Sequence, residues 1–186
     1  MGEVSNIEWC DSTVNFWIGC TKLSPACDFC YAEDWARRFK LAEWGNHPRH
    51  RTAESTWKNP LKWQREAEAF FEKKGRQRRV FPNSLSDFFD NQVDHAVRLD
   101  AWDVIRQCDD LIWMILTKRP QNIPRFIPAD WGNGWRHVWL GTTTENQEEA
   151  NKRIPPLLEV PAALHFISAE PLLGPVDLFR IPTTRS

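Results

Sequence analysis

The stretch "LIWMILTKRP", Leu111 to Pro120, decides the fold. Its apolar residues run unbroken from Leu111 to Leu116 and then give way to Thr117, Lys118 and Arg119. Such a run, long enough for one strand and apolar on both faces, is what the interior of a parallel sheet requires. Three other stretches repeat the pattern: "VFPNSLSD" from Val80, "HVWLGTTTEN" from His137 and "LHFISAEPLL" from Leu164. Helix-length segments lie between them, the rhythm of β/α units on a parallel sheet. A further strand is expected around Phe16 to Ile18, which makes five. A complete eight-stranded barrel takes ~250 residues. The expected fold is therefore α/β, a partial (β/α) barrel with parallel strands, in one domain over residues 1–186. The last segment, "FRIPTTRS", adds no strand–helix pair, so a barrel truncated at the C-terminus is expected.

The intervening helices are read from spacing. Val93, Val97, Ala101, Ile105 and Cys108 fall on one helical face. Asn59-Pro60 reads as N-cap and first helical residue of a helix through Trp63, Ala67, Phe70 and Phe71, closing near Gly75. Tyr31, Trp35 and Phe39 place a helix directly after Cys30. Gln121 to Gly134 reads as loop with at most a short helix. A polar helix is expected from Glu145 to Arg153, ending before Pro155-Pro156.

Composition narrows the class. The 24 basic and 25 acidic side chains give a formal net charge of −1, so no global field favours nucleic acid or an anionic membrane. No apolar run approaches the ~18 residues of a membrane span. "MGEVSNIEWC" has no basic segment leading into an apolar one, and a cytoplasmic location is expected. The eleven tryptophans follow no repeat period and read as core residues. The basic run "KKGRQRR", Lys73 to Arg79, reads as a solvated helix end that could also touch phosphate.

Each strand candidate ends in polar residues. These are Ser84, Ser86 and Asp87; Thr117, Lys118 and Arg119; Thr142 to Asn146, including Glu145; and Ser168 with Glu170. In β/α barrels the carboxyl ends of the strands form the reactive rim. The same residue types also cap strand-to-helix turns. A site is expected because consecutive ends carry both signs of charge. Lys118 or Arg119 could clamp a carboxylate or phosphate, and Glu145 and Glu170 could accept from an amine or hydroxyls.

Cys20, Cys27 and Cys30 in "GCTKLSPACDFCYAEDWARRF" are spaced C-x6-C-x2-C, and Cys10 lies upstream. A chain of cytoplasmic character with clustered cysteines points to metal rather than disulfides. Two metal readings stay open. Cys10, Cys20, Cys27 and Cys30 together would make a four-thiolate zinc site in a non-catalytic binding module. Cys20, Cys27 and Cys30 alone would hold a [4Fe–4S] cluster with one iron open, where four cysteines are the norm.

The segments "IEWCDSTVNFWIGCTKLSPACDFCYAE" from Ile7, "FPNSLSDFF" from Phe81, "LTKRP" from Leu116, "GTTTENQ" from Gly141 and "FISAEPLLGPV" from Phe166 together resemble the phage Gp37/Gp68 (DUF5131) family. Its members carry a three-cysteine motif and are similar to radical S-adenosylmethionine (SAM) enzymes. The resemblance implies a radical-SAM-like barrel, with the metal on Cys20, Cys27 and Cys30 and SAM chelating the open iron. It implies reductive cleavage of SAM to a 5′-deoxyadenosyl radical that takes hydrogen from a substrate. Arg119 or Lys118 would then meet the SAM carboxylate, and Ser84, Asp87, Glu145 or Glu170 its amine or ribose. Phe29, just before the last cysteine, matches an aromatic habit of those enzymes. Their usual spacing is C-x3-C-x2-C, whereas this chain has x6. The family pattern continues into "GGESG"-like and "KQWG"-like segments that this sequence lacks, which is a second reason to expect truncation. The substrate is not readable from the residues; family company suggests nucleic acid or a modification pathway, and a separate three-Cys-motif protein as a partner.

Overall fold

The computed structural model describes residues 3–182. Its centre is a five-stranded, all-parallel sheet of β1 (Ser12–Val14), β4 (Arg79–Pro82), β5 (Ile112–Thr117), β6 (Val138–Thr143) and β7 (Leu164–Ser168), in that spatial order. Two short strands, β2 (Trp17–Ile18) and β3 (His50–Arg51), pair antiparallel outside it. The helices are α1 (Tyr31–Arg38), α2 (Glu54–Arg65), α3 (Ala67–Lys74), α4 (His95–Gln107), α5 (Ile123–Phe126) and α6 (Gln147–Leu158). The fold is thus mixed α/β around a parallel sheet. Among the described residues the sheet is open, with β1 and β7 as its edges, and no closed barrel forms.

Four of the five expected sheet strands lie where the apolar runs placed them. The first does not. Trp17 and Ile18 pair antiparallel with Arg51 and His50, while the strand that joins β4 is Ser12–Val14. Ser12 is polar yet fully buried, because its hydroxyl donates to the Glu3 carbonyl at 2.8 Å and accepts from Arg78 at 3.0 Å. A hydrogen-bonded serine can occupy a core strand without the apolar signature of one.

Side chains alternate across the strands. Val80, Trp113, Ile115, Val138 and Leu140 join the core with Ala101, Trp102 and Ile105 of α4 and Leu157 of α6. Six of the eleven tryptophans, Trp17, Trp57, Trp63, Trp102, Trp113 and Trp131, belong to that core, while Trp9, Trp35, Trp44, Trp135 and Trp139 are not among its buried residues. On the opposite face Phe81, Leu116, Thr143 and Ser168 look into a cavity. Gly141 leaves room there for a neighbour, since a Cβ would sit inside the Phe166 ring.

Three helix boundaries differ from the spacing. Pro60 lies inside α2 rather than at its start, and the chain breaks at Glu66 before α3 resumes. α6 runs through Pro155 and Pro156. Proline deletes one backbone donor but keeps helical φ, and burial of Trp57, Pro60 and Trp63 on one side of α2 outweighs that loss. In α6, Ile154 and Leu157 bury on either side of the proline pair. α4 begins at His95, two residues after Val93 where the helical spacing starts, with Asp94 capping the Ala96 N–H at 2.8 Å. Asp94→Ala is expected to cost about 1 kcal/mol in urea unfolding.

The basic run Lys73 to Arg79 is partly absorbed by the fold rather than solvated. Arg76 pairs with Asp11 at 2.6 Å, and Arg78 is buried against the Phe70 ring, 4.4 Å from its centroid. No helix among the described residues is long and apolar enough to cross a membrane.

Candidate functional site

The carboxyl ends of the strands and the cysteine loop enclose a cavity of about 640 Å³. That volume is in the range of small-molecule sites. Cys20, Cys27 and Cys30 all line it, facing Ser84, Asp87, Lys118, Arg119, Ser168 and Glu170. Of the strand-end residues proposed from sequence, Thr142, Thr144, Glu145 and Asn146 lie outside that lining, and the rest line it.

The loop reaches this position through local contacts. Gly19 follows β2 with φ +110°, a conformation that a side chain would strain. It bridges to Ser86 beyond β4, and its N–H donates to the Leu85 carbonyl at 3.2 Å. A short 3-10 turn, Pro25–Phe29, carries Cys27. Cys30 is the N-cap residue of α1, and its carbonyl accepts from the Glu33 and Asp34 N–H groups. Tyr31 turns its hydroxyl inward to the Ser84 carbonyl at 2.7 Å although its ring is largely exposed. Burial of that hydroxyl pushes its pKa up to about 12.

Asp87 and Arg119 hold each other beneath the loop. The Asp87 carboxylate accepts from Thr117 Oγ1 (2.6 Å), the Phe89 N–H (2.9 Å), the Lys118 N–H (2.9 Å) and Arg119 Nη1 (3.0 Å). Arg119 also donates from Nη1 to Cys20 Sγ at 3.5 Å and from Nη2 to the Thr21 carbonyl at 2.9 Å. Burial lowers the guanidinium pKa, but Asp87, Cys20 and Asp90 outweigh it and hold it above the ordinary value. Burial and the nearby Asp87 charge push the Cys20 thiol up to about 11, against the opposing pull of Arg119. A second buried pair, Arg49 with Asp90 at 2.6 Å, ties the segment after α1 to the same network through Thr21 Oγ1, at 2.7 Å from Arg49 Nη2.

The remaining candidates divide. Lys118 reaches the cavity and forms no ion pair among the described residues. Glu170 is exposed at the cavity mouth, likewise without an ion pair among the described residues. Ser84 Oγ accepts from Asn15 Nδ2 at 3.1 Å. Glu145 is fully buried, paired with Arg153 at 2.6 Å, and also influenced by Ser24 and Lys118. Cys10 does not line the cavity; its thiol is buried and donates to Ser5 Oγ at 3.4 Å. Sequence patterning missed Trp9, Asn83 and Tyr31 in the cavity wall. Trp9 packs tilted against Phe81, with ring centroids 4.7 Å apart, a contact that no local period announces.

The donor set suits a thiolate-bound metal in kind and in sharing one cavity. As the loop stands, no three His, Cys, Asp or Glu side chains among the described residues are gathered closely enough to hold a metal ion. None of the curated proteins and none of the solved structures compared with the chain gives a match. A family model described as a protein of unknown function (DUF5131) matches residues 4–183, and the chain belongs to that family.

Proposed function

We propose that the chain is an enzyme of the radical SAM type, with Cys20, Cys27 and Cys30 as ligands of a [4Fe–4S] cluster and the adjoining cavity as the SAM site. The observation that carries this reading is the company these thiols keep. All three, and not Cys10, share a cavity with the polar strand ends. When bound, such a cluster supplies one electron and an iron with a free coordination position.

The rest falls to the chain's own side chains. Lys118 offers a cation without a carboxylate partner among the described residues and would meet the cofactor carboxylate. Glu170, at the mouth, would accept from the ammonium group, and Ser84 from a ribose hydroxyl. Phe29 and Tyr31 would shield the bound cofactor from water on the open side. Asp87 and Arg119 are already engaged with each other and with the loop, which leaves Lys118 the better candidate for the carboxylate. Cys20, Cys27 and Cys30 would hold the cluster as thiolates, with Cys27 and Cys30 carried by the 3-10 turn and the start of α1.

Purification without oxygen tests this. The expected protein is brown, carries iron and acid-labile sulfide, and keeps both in Cys10→Ala while losing them in Cys20→Ala, Cys27→Ala or Cys30→Ala. With SAM and a reductant it should release 5′-deoxyadenosine. A colourless zinc protein emptied by Cys10→Ala overturns the proposal in favour of four thiolates.

A further inference from the structure

We infer that Arg119 is a positioning residue for Cys20, holding that thiol as the fixed ligand onto which Cys27 and Cys30 close. The inference deepens the metal-site reading and rests on it for its function, while the contact itself stands on geometry alone. Arg119 leaves the end of β5 and reaches Cys20 Sγ at 3.5 Å and the next carbonyl, Thr21, at 2.9 Å. One guanidinium therefore grips both the side chain and the backbone at this corner of the loop. The planar fork can do this while facing Asp87 at 3.0 Å, which a lysine ammonium cannot reproduce.

The corner is fixed from two other directions. The Gly45 N–H donates to the Cys20 carbonyl at 2.9 Å, and Thr21 Oγ1 donates to the Gly45 carbonyl at 2.8 Å. Arg49, locked on Asp90, donates to that same Thr21 oxygen at 2.7 Å. Cys27 has no comparable hold. Among the described residues its sulfur meets only the Ser24 hydroxyl, at 3.9 Å, and it rides on the 3-10 turn. Cys30 is placed by its position ahead of α1. The three thiols are thus unequal: one is clamped to the sheet, and two belong to a segment with few ties. Groups that orient metal ligands in this way typically contribute 10–100-fold to metal affinity.

Metal-free protein provides the test. Alkylation by iodoacetamide is followed at each cysteine by mass spectrometry in wild type and Arg119→Lys. Lysine keeps the cation and removes the double grip. Each rate is taken per thiolate, from its pH profile, so that loss of the Arg119 hydrogen bond on ionisation does not mask access. The expected result is at least a threefold faster reaction of the Cys20 thiolate, with Cys27 and Cys30 unchanged and buried Cys10 and Cys108 still protected. An unchanged or slower Cys20, or all five sites accelerating together, overturns the inference. A second variant reads the bond from its other end without touching the buried ion pair. Cys20→Ser should shift the Arg119 guanidinium resonances in nitrogen-15 NMR, whereas Cys27→Ser should not; equal shifts, or none, overturn it. After anaerobic iron loading, Arg119→Lys should give up iron to a chelator with ~10–100-fold weaker retention than wild type. Selective alkylation together with a wild type that takes up no iron would leave the clamp standing and remove the cluster reading alone.

Discussion

Replacing Asp87 with alanine is expected to destabilise the protein by about 3–5 kcal/mol, because it strands the buried charge of Arg119. Both side chains are almost fully buried, at 7% and 6% exposure, and their N–O distance is 3.0 Å. The nearest remaining carboxylate is Asp90, at 3.9 Å, and that group is already paired with Arg49. The substitution also takes the acceptor from the Thr117 hydroxyl and from the Phe89 and Lys118 N–H groups. Unsatisfied buried donors add to the loss. Urea unfolding measures it. Asp87→Asn retains one acceptor oxygen and should lose less than Asp87→Ala. A loss under about 1 kcal/mol for alanine would mean that water reaches the pair and that the charge network is not structural.

The same pair shows what the sequence made legible and what it did not. Runs of apolar residues marked β4 to β7, and the polar residues after them marked the rim, because strand burial and strand-end chemistry are both local properties. Ser84, Asp87, Lys118, Arg119 and Glu170 do share one cavity with the three cysteines. How those residues divide their bonds is not local. Asp87 and Arg119 looked like two ligand-binding groups, yet they follow neighbouring strands whose parallel pairing sets them face to face. Consecutive strands often neighbour each other, so the opposite charges at these two ends were the available signal. Arg49 and Asp90 carried none, since both lie in irregular segments without a period. Ser12–Val14 escaped because a buried serine looks polar, and the bulky apolar residues Phe16 to Ile18 attracted the assignment instead. Proline was read as a boundary in α2 and α6, where packing on the core overrides it.

Arg153→Met should cost about 3–5 kcal/mol near neutral pH, with a pH dependence that identifies the cause. Arg153 is buried and bridges two carboxylates at 2.6 Å each, Glu145 and Glu149, while also donating to the Thr143 carbonyl at 3.0 Å. It therefore locks α6 to the end of β6, next to the rim. The Glu145 carbonyl in turn accepts from Leu173 N–H at 2.7 Å, anchoring the segment after β7. Burial alone would raise the Glu145 pKa, but the Arg153 hydrogen bonds, Ser24 and Lys118 together hold it below the ordinary value. A carboxyl lowered in the folded state contributes stability above its unfolded pKa, and that contribution fades as pH falls through the folded value. Wild type should accordingly lose this contribution below about pH 4. In Arg153→Met only Ser24 and Lys118 still oppose burial, so the Glu145 pKa rises from its wild-type position and its protonation costs the folded state less. The stability gap between the two proteins should be widest near pH 7 and narrow steadily toward pH 4. A gap that stays constant across that range in urea titrations would assign the loss to packing around the Arg153 stem and not to the stranded carboxylates.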